Sequence, residues 1–209
     1  MTAIAVLGWG SLVWQPRNDH GEILLDGGWH ADGPLLPVEF ARISSDGRLT
    51  LILLPGYPHR SPVMWARSAC DDLGAARANL ARRETSAPLA SAHAVTSAGE
   101  VFGDPDPEVV GAVSEWLGDA ALDAVAWTGL GPGKRWGGVG FTPEGAVAHL
   151  LGLTGEQRAR AEEYVLRAPP QIDTPVRRLL AEASGDATAP PRDEEAPAER
   201  EGFEPSRGL

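Results

Sequence analysis

The chain is poor in cysteine and lysine and has no long apolar run, and each shortage removes a class of function. Its 209 residues include one cysteine, Cys70, which excludes an internal disulfide and a cysteine-lined metal cage. A lone thiol suits a reducing cytosol. Lysine occurs once, at Lys134, and the formal net charge is −11. That acidity argues against nucleic acid or an anionic membrane surface as the partner. No stretch reaches the ~18 consecutive apolar residues of a spanning helix. The segment from Met1 to Leu7 has neither a basic region nor a small-residue cleavage site, so it reads as a strand rather than a leader. The expectation is a cytoplasmic protein. His20, His30, His59, His93 and His149 are scattered, without the close pairing of a metal site, so no metal is expected.

What the chain does have is 43% apolar residues, enough for a sizeable core. Seven Trp stand beside two Tyr and four Phe, with 25 Gly and 18 Pro, which points to a loop-rich fold. Ala3 to Leu7 is β-prone and is broken by Gly8-Trp9-Gly10-Ser11. Asn18 to Gly33 is polar and Gly-rich, and reads as a loop or short hairpin. Val38 to Ile43 and Leu49 to Leu54 flank Ser45-Asp46-Gly47, a hairpin signal because Asp-Gly accepts the backbone of a tight turn. Val63 to Ala69 is another strand.

Helices dominate the later chain. Asp71 to Glu84 carries acids at its start and Leu73, Ala76 and Leu80 at helical spacing. Asp106 to Leu117 is a second, closed by Gly118, and Leu122 to Thr128 is the last strand. Thr142 and Thr154 open two further helices, and Thr174 with Pro175 opens the final one. Strands early and helices late favour an α+β fold. Residues 184–209 hold seven acids against three arginines, and Phe203 and Leu209 are their large apolar residues. They read as a disordered acidic tail behind a folded domain of residues 1–183.

Two features carry chemistry. Gly8-Trp9-Gly10-Ser11-Leu12 follows the first strand, and a loop with two glycines can aim successive N–H groups at a carboxylate or phosphate. It is neither the G-x-G-x-x-G fingerprint nor the serine nucleophile elbow, since Val13 replaces the glycine that elbow needs. An ordinary turn with core-packed Trp residues is the competing reading. Glu84 shares a helical face with Leu73, Ala76 and Leu80, which turns its carboxylate inward, where lost hydration raises its pKa and makes it a useful base. On this spacing Arg82 and Arg83 point elsewhere and Arg77 is the candidate partner; the competing reading leaves Glu84 solvated beyond the helix end. Gly129 to Gly140, with Lys134 and Arg135, can close over an anion or serve as a plain surface loop.

Together the loop and the glutamate resemble the gamma-glutamylcyclotransferase-like superfamily, in particular its glutathione-specific, cation-transport-regulator-like branch. The residues that carry the resemblance are Trp9-Gly10-Ser11-Leu12-Val13-Trp14 and Arg83-Glu84, with a weaker continuation in Ala124 to Thr128 and Tyr164 to Pro169. Trp9 stands where those proteins carry Tyr, and Thr85-Ser86-Ala87-Pro88 replaces their Gly-Tyr continuation. The resemblance implies a small, mixed, partly closed β-barrel with surrounding helices. It implies that backbone N–H groups of Trp9, Gly10, Ser11 and Leu12 hold the α-carboxylate of a γ-glutamyl substrate, and that Glu84 is the general acid/base. The implied enzyme is a gamma-glutamylcyclotransferase of lyase type, releasing 5-oxoproline and needing no cofactor. A non-catalytic metabolite-binding or regulatory module of the same fold is the alternative. A hydrolase using Ser11 as nucleophile is a third reading, and it requires a histidine beside Ser11.

Overall fold

A computed structural model describes residues 2–84, 89–131, 136 and 140–185. The acidic tail from residue 186 onward therefore lies outside the described residues. The strands are β1 (Ile4–Gly8), β2 (Arg17–Asn18), β3 (Gly21–Glu22), β4 (Leu25–His30), β5 (Leu35–Leu36), β6 (Val38–Ile43), β7 (Leu49–Leu53), β8 (Ser61–Pro62), β9 (Met64–Ser68), β10 (Ala92–Thr96), β11 (Val101–Phe102) and β12 (Ala124–Thr128). The helices are α1 (Ser11–Trp14), α2 (Leu73–Arg83), α3 (Pro107–Asp119), α4 (Pro143–Gly152), α5 (Gly155–Arg167) and α6 (Pro175–Ser184).

The architecture is mixed α+β around one six-stranded mixed sheet, ordered β11-β10-β12-β1-β9-β4. β1 lies inside it, parallel to β12 and antiparallel to β9. All five of its residues are buried. That follows from its unbroken apolar run, because a strand covered on both faces cannot alternate with polar residues. Ile4 and Val6 face α2, where they meet Ala76 and Leu80. Ala5 and Leu7 turn to the other side, where α3 to α6 and the β6–β7 hairpin form the main core. The hairpin arises as its sequence requires, with Gly47 at a φ of 90°. It pairs as its own ladder, and among the described residues the six-stranded sheet is open, with β11 and β4 at its edges.

Local chemistry sets most helix ends. Asp72 caps α2 by accepting the Ala75 N–H at 2.9 Å. Asp106, Thr142 and Thr174 cap α3, α4 and α6, each followed by proline at a position where no N–H is needed. Thr154 precedes α5 without a side-chain cap bond. α3 runs through Gly118 to Asp119 rather than stopping at the glycine, because Val113 and Leu117 are fixed in the core beneath it.

The polar stretch before Gly33 is more ordered than its composition suggests. It holds the short β2–β3 ladder and contributes β4 to the main sheet, beside β9. β10 has no counterpart in the sequence reading, yet it pairs along its whole length with β12. Trp65 and Trp116 pack edge to face at the rim, both indole N–H groups bonded to Asp32. Trp127 is fully buried. No described helix is long and apolar enough to cross a membrane.

Candidate active site

The cleft opens at the carboxyl ends of the two parallel strands. β1 runs into Gly8-Trp9-Gly10-Ser11 and β12 into Leu130, and both segments line the recess. That end of parallel strands is where open α/β sheets place their ligands. Leu51 and Ile52 of β7, Tyr164 of α5 and Glu84 complete the lining. The cavity volume of the recess is about 50 Å³, or about 410 Å³ with the space open to solvent included.

Glu84 arrives from the end of α2, where its N–H donates to the Leu80 carbonyl at 3.2 Å. Its side chain is 19% exposed, so the inward stripe of Ala76 and Leu80 does continue to it. Burial pushes its carboxyl above the usual glutamate value, while the Arg83 and Arg42 guanidinium groups draw it back. Arg83 Nη1 stands 3.9 Å from Glu84 Oε1. This corrects the expectation that Arg83 points away and Arg77 is the partner. Arg83 leaves the helix on a neighbouring face, but its long side chain reaches the Gln15 and Pro16 carbonyls, which brings its guanidinium beside Glu84. Arg77 instead donates from Nε to the Ala92 carbonyl at 2.7 Å and lies over the Phe102 ring.

The loop candidates Trp9, Gly10, Ser11 and Leu12 all line the recess. The Trp9 indole is 6% exposed and Leu12 is 5% exposed, both packed in the core. Ser11, half-buried, opens α1. The two glycines have a reason other than approach to a ligand. A Cβ on Gly8 would sit 2.6 Å from the Trp29 ring, and one on Gly10 would sit 2.5 Å from the Tyr164 hydroxyl. Both glycines make room for this chain's own aromatic side chains.

The sequence marks Tyr164 only as part of a late segment, and the structure places it in the lining of the cleft. Its hydroxyl oxygen accepts from the backbone N–H groups of Leu51 and Ser11. Burial comes first in pushing its pKa up to about 12, and the Glu84 charge adds to that, so it is a neutral hydroxyl at ordinary pH. Trp14 and Phe40 contact its ring edge to face, and the Arg48 guanidinium lies 5.7 Å from the ring centre. A helix-borne tyrosine far along the chain carries no local signal that it returns to the first loop.

Among the described residues no histidine lines the cleft. The described ring bonds of His59 and His149 go to Ser61 and to the Gly47 carbonyl. The serine hydrolase reading therefore lacks its base. Among the described residues no group of three or more His, Cys, Asp or Glu is placed to hold a metal. Cys70 is a free thiol, half-buried beside Ile4, Ala76 and Ala124. Lys134 and Arg135 lie outside the described residues, as does most of the glycine-rich segment that bears them. No protein-family model matches the chain, and comparison with curated proteins and with solved structures finds no match either.

Proposed function

We propose that the protein is a γ-glutamyl cyclotransferase, with Glu84 as general acid/base and the Trp9–Leu12 loop as the site for the substrate's α-carboxylate. The observation that carries this reading is the meeting, in one recess, of the end of β1 with the half-buried carboxylate that closes α2. The substrate's amine nitrogen, as the free base, attacks its own γ-carbonyl carbon. A new C–N bond closes a five-membered ring, which proximity favours. Glu84 takes the proton the nitrogen loses and delivers it to the departing nitrogen as the original amide bond breaks. The products are 5-oxoproline and a free amine or shorter peptide. A carboxyl raised by burial suits both halves of that exchange. Tyr164, neutral and next to the loop, offers a hydroxyl to the developing oxyanion. The partly closed barrel of the resembling superfamily belongs to this reading as well.

A screen of γ-glutamyl amines and peptides by mass spectrometry tests it. We expect 5-oxoproline from wild type and a loss of about 10³-fold or more in Glu84→Gln, with the fold intact by circular dichroism. Equal turnover by the variant sinks the assignment. A second reading is a module that binds a carboxylate-bearing metabolite without turning it over, which the same loop and recess would serve. Saturable binding with no product on long incubation selects it.

A further inference from the structure

Arg83 is an anomaly of burial. It sits on the last turn of α2, yet its side chain is 4% exposed. A guanidinium is rarely so enclosed unless each nitrogen has a partner. Here Nε donates to the Pro16 carbonyl at 3.3 Å, Nη2 donates to the Gln15 carbonyl, and Nη1 faces Glu84 Oε1 at 3.9 Å. Its own carbonyl accepts from Asn18 Nδ2 at 3.0 Å. Gln15 is the cap residue that ends α1, the short helix that begins at Ser11. One planar fork thus grips the segment that ends α1 on one side and faces the Glu84 carboxylate on the other.

We infer that Arg83 is the positioning residue that fixes the distance between the carboxylate of Glu84 and the Trp9–Leu12 loop. This rests on the function proposed above. Among the described residues the other ties between α2 and this part of the chain are the apolar packing of Leu12 with Leu80 and Ala81, the bond from Asn18 to the Arg83 carbonyl, and the bonds of Asn79. Asn79 binds α2 to the Leu24 N–H at 2.9 Å and the Glu22 carbonyl at 2.8 Å, farther from the cleft. Lysine has the charge but one nitrogen, so it cannot span three partners in a plane. The role is electrostatic as well as geometric. The groups facing Glu84 are Arg83 from its own helix, Arg42 from β6 and Tyr164 from α5. Among the described residues, removing Arg83 leaves Arg42 as the cation facing Glu84, so the carboxyl must bind its proton more tightly.

The test pairs two substitutions with two readouts. Arg83→Met removes fork and charge, and Arg83→Lys keeps the charge. One readout is turnover of a γ-glutamyl substrate across pH; the other is the Glu84 carboxyl resonance, titrated by carbon NMR without substrate. In Arg83→Met we expect kcat to fall roughly 10- to 100-fold with little change in KM, since misplacement penalises the reacting geometry. The acid limb of the profile and the Glu84 resonance both move to higher pH. In Arg83→Lys the resonance returns toward wild type while kcat stays low. An unmoved resonance in Arg83→Met, or full kcat in Arg83→Lys, overturns the inference. Should Arg83→Met not fold, Arg83→Lys decides alone through its kcat. Should wild type release no 5-oxoproline from any γ-glutamyl compound, the proposed function falls, and the resonance still decides whether Arg83 governs Glu84.

Discussion

Gly10 and Tyr164 meet where a single atom decides the geometry. The Tyr164 hydroxyl occupies the space a Cβ on residue 10 would need. Gly10→Ala should therefore destabilise the protein by about 1–3 kcal/mol, through overpacking. In a Tyr164→Phe background the same substitution should cost less, because the clashing oxygen is gone. Urea denaturation of the four proteins in this cycle measures the coupling, and additive effects would show that the contact does not limit packing. The same scale explains why Glu84 was visible in the sequence and Arg83 was not. Helical spacing turns Glu84 inward with Leu80. Arg83, one position earlier, is drawn in by carbonyls of a segment that no spacing rule connects to it.

The hairpin and α6 are joined by a buried acid that the cleft does not use. Glu39 on β6 is fully buried. Its carboxylate accepts from the Phe40 N–H at 2.7 Å and from the Val176 N–H in the first turn of α6 at 3.4 Å. Thr174, the α6 cap, and Tyr57 also bond to it. Burial dominates these bonds and holds its pKa above the usual glutamate value. A carboxyl raised on folding favours the native state while protonated. Its contribution is full below the unfolded value and is lost as pH rises through the folded one. Wild type should therefore lose thermal stability over that rise, and Glu39→Gln should lose less. Parallel slopes for the two proteins would show that Glu39 is not the titrating group. The elements themselves were unevenly legible. The hairpin announced itself through Asp46-Gly47, and α2, α4 and α6 through their caps, because those signals act within a few residues. β10 did not, since Ala92-His-Ala-Val-Thr lacks the β-branched density of an obvious strand. Its small residues make sense only under α2, where Ala92 and Ala94 pack against Leu80.

For the whole molecule, the sheet centre is the anchor of the site. β1 is hydrogen-bonded on both sides and covered on both faces, whereas β4 is an edge strand with Gly27 and Gly28 exposed. Amides of Ile4 to Leu7 and Val125 to Trp127 should exchange with solvent only on global unfolding, and those around Gly27 far sooner. Equal protection would show that the loop after β1 does not rest on the most stable part of the fold. The sequence by itself determined the apolar first strand, the hairpin and the capped helices. Each of these is written in residues close together in the chain, where periodicity and capping act. Only the tertiary structure decided the strand order, the fork of Arg83 and the return of Tyr164 to Gly10. It also decided how much water Glu84 loses. These depend on which distant segments pack together, and side chains that meet through space leave no spacing in the sequence to read.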